Sequence, residues 1–401
     1  MTNHIYLDHN ATTPLLPEVA DAVRDASVRY HANPGSQHQP GRQARRALEE
    51  ARLQVGKLLG ARTTGMNADR VIFTSGGTEA ANLALFGLLG GLPGPSSPTS
   101  PASSLQRAAP TASSPTHFLT STIEHPCILE SAAQLPNCEV EQLPVDTNGV
   151  VDLDQVRRRL RPETRLVSVM LANNETGVLQ PVAEIAALCA EQGIAMHSDA
   201  AQMIGKLPVD FTRLNLSAMS CAAHKFNGPL GIGALLVRHN LPLQPTLFGG
   251  HQQGGLRPGT ETVALAIGMQ TALECWHRTA IKNIQRIARL RDQFEQILTA
   301  ELPTVEVLGS GAARLPNTSN LAFVGMNRQA LLMALDQAGV ACSSGSACAS
   351  GSSELSPVLL AMGLKKEVIE GSIRFSLGVT TTTAEIEESC RRILSLCKRL
   401  R

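Results

Sequence analysis

Arg70-Val71-Ile72-Phe73-Thr74-Ser75-Gly76-Gly77-Thr78-Glu79-Ala80 is an apolar run that stops at two glycines and a threonine. Arg70–Ser75 reads as a strand, and the turn after it opens a helix through Ala80–Leu89. The alternation continues downstream. Thr164–Ala172 is a second strand with a helix over Pro181–Gln192, and His117–Ser121, Ile194–Asp199, Leu216–Cys221 and Gly231–Arg238 are further strands. This spacing predicts an α/β fold, a largely parallel sheet with helices on both faces. The pattern then changes: Thr262–Leu302 is mostly one helical stretch, with shorter strands and helices from Val305 onward. That shift predicts a second, α+β domain, to which the N-terminal dozen residues return.

A chain of 401 residues, 43% apolar and 17% charged, can bury two cores. A net charge of +1 carries no footprint of nucleic acid or of a charged membrane surface. No apolar run is long enough to cross a bilayer, and residues 1–8 lack the pattern of a signal peptide. Nine cysteines, odd in number and irregularly spaced, read as reduced cytoplasmic thiols rather than a disulfide framework. Pro93–Thr116 holds six prolines, seven serines and a single charge, Arg107. Such a stretch cannot offset its ordering entropy by burial and reads as a mobile surface insertion.

Several residues carry candidate chemistry. Ser220-Cys221-Ala222-Ala223-His224-Lys225 ends an apolar run in a lysine, and Met196-His197-Ser198-Asp199 ends another in an aspartate. A desolvated lysine can lose its proton and condense with an aldehyde. An acid for a pyridine nitrogen and an amine for an aldehyde are what pyridoxal phosphate requires. Gly76-Gly77-Thr78 is either a plain turn capped by Thr78 or, through free N–H groups and the helix dipole, a phosphate cup. Ligands of open α/β sheets bind at strand ends, where Thr78, Asp199 and Lys225 fall.

His125, after its strand, either lies on a cofactor ring or is a surface residue beside Pro126. Asn173-Asn174-Glu175 is a turn, or a source of amides for a cofactor hydroxyl or substrate carboxylate. Arg374, inside the apolar Ser372–Ser376, calls for an anion, either a structural carboxylate or a substrate's. Cys348 stands among Ser343, Ser344, Gly345, Ser346, Ala347, Ala349 and Ser350, where a thiol is reachable. Cys342 reads as packed. A metal pair made of the two lacks further ligands, so no metal site is read.

Tyr6-Leu7-Asp8-His9-Asn10-Ala11-Thr12-Thr13-Pro14, Asn33-Pro34-Gly35-Ser36-Gln37-His38, Ser75–Ala80, Glu124-His125, Asn173-Asn174-Glu175, Asp199-Ala200-Ala201-Gln202, His224-Lys225, Arg257-Pro258-Gly259-Thr260, Ser343–Cys348 and Arg374-Phe375-Ser376-Leu377-Gly378 follow one another in a family order. In this the chain resembles, nearly end to end, the cysteine desulfurases of the class-V aminotransferase group. The Ser-Ser-Gly-Ser-Ala-Cys loop resembles the nitrogen-fixation and iron–sulfur branch.

The resemblance implies fold type I, with a large domain over residues 14–259 built on a mainly parallel seven-stranded sheet. Residues 1–13 and 260–401 would form the smaller α+β domain that carries the cysteine loop. It implies that Lys225 binds pyridoxal phosphate and acts as base, and that Asp199 keeps the ring nitrogen protonated. Gln202 would contact the ring hydroxyl, and His125 would stack on the ring and handle the thiol proton. Gly77, Thr78 and His224 would bind the phosphate, with Thr260 reaching the phosphate of a second subunit in a homodimer. Asn174 and Arg374 would hold the substrate carboxylate. L-cysteine would yield L-alanine and a persulfide on Cys348, whose sulfur goes to an acceptor protein such as an iron–sulfur scaffold.

Two departures stand out: the Pro93–Thr116 insertion, and Ala222, where many relatives place a phosphate-binding serine. Ser220, on the same strand face, is the candidate substitute. Selenocysteine lyase activity, a non-catalytic scaffold and a thiol-free aminotransferase are the competing readings. Retention of Lys225, Asp199 and Cys348 argues against the last two.

Overall fold

The computed structural model describes residues 4–91, 115–345 and 354–400. The chain starts with β1 (Ile5–Tyr6), α1 (Pro17–Arg29) and α2 (Gln39–Leu58). It continues through β2 (Arg70–Thr74), α3 (Gly77–Gly91), β3 (Thr116–Ser121), α4 (Pro126–Ala132), β4 (Cys138–Leu143) and α5 (Leu153–Arg159). Then follow β5 (Thr164–Ser168), α6 (Val182–Glu191), β6 (Ala195–Asp199), β7 (Ala218–Ala222) and β8 (Gly233–Val237). The remainder is α7 (Val263–Glu301), β9 (Val305–Val307), β10 (Thr318–Phe323), α8 (Arg328–Gln337), β11 (Val340–Ala341), α9 (Pro357–Ala361), α10 (Lys366–Glu370), β12 (Ser372–Ser376) and α11 (Thr383–Leu400).

Seven strands form one sheet in the order β2-β8-β7-β6-β5-β3-β4, with β8 alone antiparallel to its neighbours. Its inner strands are buried on both faces because both are covered. Val71, Phe73, Leu119, Val167 and Met196 face a core shared with α2, α6 and the start of α7. The alternate residues Ile72, Phe118, Leu166 and Ala195 face α3 and α4. The result is a helix–sheet–helix sandwich.

A separate sheet, β12-β10-β9, packs with α8, α11 and the second half of α7 around Phe294, Phe323, Phe375 and Ile393. α7 has 39 residues and so runs roughly 58 Å at 1.5 Å per residue. Val263–Cys275 supplies residues to the first core, and Ile287, Leu290, Phe294 and Leu298 supply the second. β1 pairs parallel with β11, and Leu7 lies in the second core. The N-terminus therefore crosses from one core to the other. α11 opens with a reciprocal capping box: Thr382 N–H donates to Glu385 Oε2 (2.8 Å), and Glu385 N–H donates to Thr382 Oγ1 (3.2 Å).

The strand expected over Thr164–Ala172 ends at Ser168. Beyond it the Val169 and Leu171 N–H groups still donate to the His197 and Asp199 carbonyls (3.3 and 2.9 Å), while the Met170 N–H between them donates to Glu124 Oε1 (2.9 Å). Among the described residues no helix is long and apolar enough to cross a membrane. Of the insertion read over Pro93–Thr116, residues 93–114 lie outside the described residues, and Thr116 is the first residue of β3.

His197, in the middle of β6, is buried between Ser168 Oγ (2.8 Å from Nδ1) and Ser220 Oγ (3.1 Å from Nε2). Burial pulls it down to about 3. The folded chain thus refuses a proton that the unfolded chain accepts below about 6.5. The resulting stabilisation is complete above pH 6.5 and declines as pH falls toward 3. His197→Gln keeps two polar atoms for the serines and should reduce the stability lost between pH 6.5 and 5.0 by about 2 kcal/mol. Urea unfolding of both proteins at the two pH values checks this; equal losses would contradict it.

Candidate active site

β2, β3, β5, β6 and β7 all run in one direction, so their C-terminal ends share one edge of the sheet. α3 starts after β2, His125 follows β3, Asn173 and Asn174 follow β5, Asp199 closes β6, and Lys225 follows β7. Topology alone gathers them.

The start of α3 is shaped by close packing. A Cβ on Gly233 would stand 2.6 Å from Cys221 O and from the Gly76 carbonyl carbon, so only glycine lets this turn lie on β8. A Cβ on Gly77 would meet the Ala222 methyl at 3.4 Å, whereas one on Gly76 would meet nothing within 4 Å. Ala222 therefore faces the first turn of α3, whose leading N–H groups have no intrahelical acceptor. Glu79 in that turn takes a bidentate grip from Arg257 (2.7 and 3.2 Å). This ties the Arg257–Thr260 segment, with Thr260 exposed, to the same place. Ser220 is not a substitute for the missing serine: it is buried one pleat further down β7 and bonded to His197.

The Lys225 Nζ donates to the Asn10 and Ala11 carbonyls (2.7 and 2.8 Å). Gln202 Nε2 donates to the same Asn10 carbonyl (3.0 Å), and Lys206 Nζ donates to Gln202 Oε1 (3.0 Å). Thr13 holds this N-terminal strap down through its N–H and hydroxyl, both donated to His224 O (2.9 and 2.7 Å). The His224 ring lies 3.2 Å from Thr12 Oγ1, and burial, with Lys225 and Lys206 nearby, pulls it down to about 4. At neutral pH it is an uncharged imidazole.

His125 caps α4, its Nδ1 accepting from Cys127 N–H (3.1 Å). In the neutral ring the proton therefore sits on Nε2. Burial lowers its pKa, Asp199 opposes that shift, and Lys225 adds to it. Withdrawal from water raises the pKa of Asp199, while the Ala201 N–H on Oδ1 (2.8 Å), His125 and Lys225 lower it. The three groups thus sense one another across the cleft.

Arg374 is buried in β12. Its Nη2 donates to Asp8 Oδ1 (2.8 Å), and Nη1 donates to Asn174 O (3.0 Å) and Gly345 O (3.3 Å). The structural carboxylate partner is thus present. The buried Nε has no hydrogen-bond partner among the described residues. Cys348 lies outside the described residues. The ends of its segment are held at Gly345, by Arg374, and at Ser356, whose hydroxyl donates to Glu175 Oε2 (2.6 Å). Cys342 is half-buried, and burial raises its thiol pKa.

Four residues here were not singled out by sequence reasoning: Asp8, Asn10, Glu124 and Lys206. Asp8 and Asn10 sit within the N-terminal motif, but nothing local names partners more than 190 positions away. Glu124 accepts from Ser121 Oγ (2.5 Å) and Met170 N–H (2.9 Å), and burial pushes it up to about 8. Through Oε1 it fastens the loop before His125 to the end of β5.

The profile of the family described as Aminotransferase class-V matches residues 5–95 and 101–388. The chain is 38% identical over 403 residues to "Cysteine desulfurase IscS" of Dictyoglomus turgidum, covering 100% of this chain and 96% of the relative. A solved NifS-like protein superposes with a TM-score of 0.86 at 28% identity, over 99% of this chain and 100% of that one. A structure titled "SspA in complex with cysteine" gives a TM-score of 0.76 at 29% identity, over 94% and 99%. A family profile matched almost end to end, with a full-length desulfurase relative, decides the assignment. The chain belongs to the class-V aminotransferase family and, within it, to the cysteine desulfurases.

Proposed function

We propose that this protein is a pyridoxal-phosphate-dependent cysteine desulfurase that converts L-cysteine to L-alanine and loads the sulfur on Cys348. The observation that carries the reading is the convergence of Lys225, Asp199, His125 and the start of α3 on one sheet edge. The donor set suits the cofactor. Open space at Gly76 before a helix N-terminus fits a phosphate, the Asp199 carboxyl fits a pyridinium, and the Lys225 amine fits an aldehyde. When bound, the cofactor supplies an electron sink for charge developing at the substrate Cα.

The chain's own groups do the rest. Gly77, Thr78 and His224 bind the phosphate, and Gln202 bonds the ring hydroxyl. Asn174 and Arg374 orient the substrate carboxylate, with Asp8 fixing the guanidinium plane. The Lys225 amine takes the Cα proton. His125 holds its exchangeable proton on Nε2 and serves as a donor. The Cys348 thiolate attacks the substrate sulfur; an S–S bond forms as the C–S bond breaks, and the carbon takes a proton to give alanine.

The persulfide then passes to a sulfur-acceptor protein, an iron–sulfur scaffold being the first to test. The proposed division of the chain, residues 14–259 against 1–13 and 260–401, puts the cofactor groups on one side and Arg374 with Cys348 on the other. A cytoplasmic homodimer completes the reading. Exposed Leu230, Leu247 and Phe248 (87% exposed) lie on the segments around Lys225 and Thr260 and need cover. Sedimentation should return twice the chain mass, and a single mass would end the dimer proposal.

Alanine and sulfide release from L-cysteine in the presence of a reductant tests the activity. Equimolar products support it; bound cofactor without sulfide would point to another amino acid. Selenocysteine lyase activity stays in competition and is separated by the Cys348 variant discussed below. Ala222 gives a further expectation, because its methyl faces the first turn of α3. Ala222→Ser should add one hydrogen bond to a charged phosphate and tighten cofactor binding about tenfold. Equilibrium titration of the apoprotein reads the change, and unaltered affinity would place the phosphate elsewhere.

A further inference from the structure

Lys206 is a buried lysine that the proposed chemistry does not use. The charged and titratable groups that act on it are Lys225, Arg374, His9 and His224, and Arg374 is itself paired with Asp8. Its place is fixed from the backbone. Gly205 has φ +79°, and a Cβ there would collide with Phe226, the residue after Lys225. Lys206 is thereby pressed against the segment that carries the cofactor lysine.

Among the described residues its Nζ makes one hydrogen bond, to Gln202 Oε1 (3.0 Å). The other end of that amide, Nε2, donates to the Asn10 carbonyl (3.0 Å), which also accepts from Lys225 (2.7 Å). An amine can only donate to Oε1, and a carbonyl can only accept from Nε2. The two neighbours therefore agree on one orientation of the Gln202 amide, and the flipped orientation breaks both bonds.

We propose that Lys206 is a positioning residue for the cofactor, locking the Gln202 amide so that its NH2 group, not its oxygen, is presented to the ring hydroxyl. This rests on the pyridoxal phosphate reading and on Gln202 facing the ring. Burial, with Lys225 and Arg374 nearby, holds the Lys206 amine well below the usual lysine range. The Lys206 end of the lock is strict while the amine is protonated; the neutral amine still donates to Oε1 but can also accept from a turned NH2 group, and the Asn10 carbonyl then decides the orientation.

A donor on the ring oxygen favours its anionic form and so eases loss of the proton shared with the Lys225 nitrogen. Without the lock, the amide oxygen can turn toward the ring and oppose that loss. The test uses the full chain with bound pyridoxal phosphate, no substrate, and the visible absorbance followed as a function of pH. Lys206→Met should raise the midpoint by about one pH unit, a tenfold change in proton affinity. Gln202→Met should raise it similarly, and the double variant no further, because one residue acts through the other.

A shift with Gln202→Met but none with Lys206→Met overturns the proposal, as does a double variant in which the two shifts add. If the wild type holds no cofactor, or neither variant moves the midpoint, the reading beneath it fails as well. Should Lys206→Met not fold, Lys206→Gln keeps a donor on a shorter arm. It should raise the midpoint by less than Gln202→Met does, and a rise as large as that of Gln202→Met counts against the proposal.

Discussion

Lys225→Ala is expected to cut alanine and sulfide release about 10,000-fold, and to leave pyridoxal phosphate without its covalent tether. One side chain is asked to do two things, to anchor the aldehyde and to move the Cα proton, and positioned proton transfer alone is worth 10²–10⁴-fold. Among the described residues no other group at this sheet edge can replace it. His125 has Nδ1 occupied by the Cys127 N–H, and the Lys206 amine is committed to Gln202. Borohydride reduction of the wild type followed by peptide mapping should find the label on Lys225. Label on Lys206, or a variant that keeps more than a few per cent of wild-type turnover, would reassign the amine.

Cys348→Ala is expected to keep the cofactor absorbance of the wild type while sulfide release from L-cysteine falls to the level of a control without enzyme. The reason is stoichiometric. Sulfur leaves the substrate only when a thiolate accepts it, and Cys342 is a poor deputy: half-buried, with a thiol that burial keeps protonated. The same variant assayed with selenocysteine separates the competing activity, since selenium can leave without a protein thiol. Sulfide release that survives the substitution would take the sulfur-carrier role from Cys348. Loss of the cofactor band would instead show that the segment supports the cofactor site.

Much of the sheet was legible because its inner strands are buried on both faces, so β2 and β8 read as nearly unbroken apolar runs and β3, β6 and β7 as short segments of apolar and small residues. β4 was not. Cys138-Glu139-Val140-Glu141-Gln142-Leu143 lies at the sheet edge with one side wet, and its charges mask the pattern. The strand predicted to run to Ala172 stops four residues early: bonding to β6 continues through the Val169 and Leu171 N–H groups, but between them the Glu124 carboxyl takes the Met170 N–H. That competition involves a residue 46 positions away and leaves no local mark.

The sequence by itself determined most of the sheet's strands, their alternation with helices and the residue types that can bind a phosphorylated aldehyde. These depend on neighbours a few positions apart, within reach of a strand's or a helix's period. Tertiary structure alone decided that Asp8 closes on Arg374 across 366 positions, and that Asn10 offers one carbonyl to both Lys225 and Gln202. It also decided that Ser220 is spent on His197, and that Lys206 turns inward to the Gln202 amide. The physical reason is common to all of them. A buried polar group must find its partner wherever packing brings one, and packing is set by the whole chain.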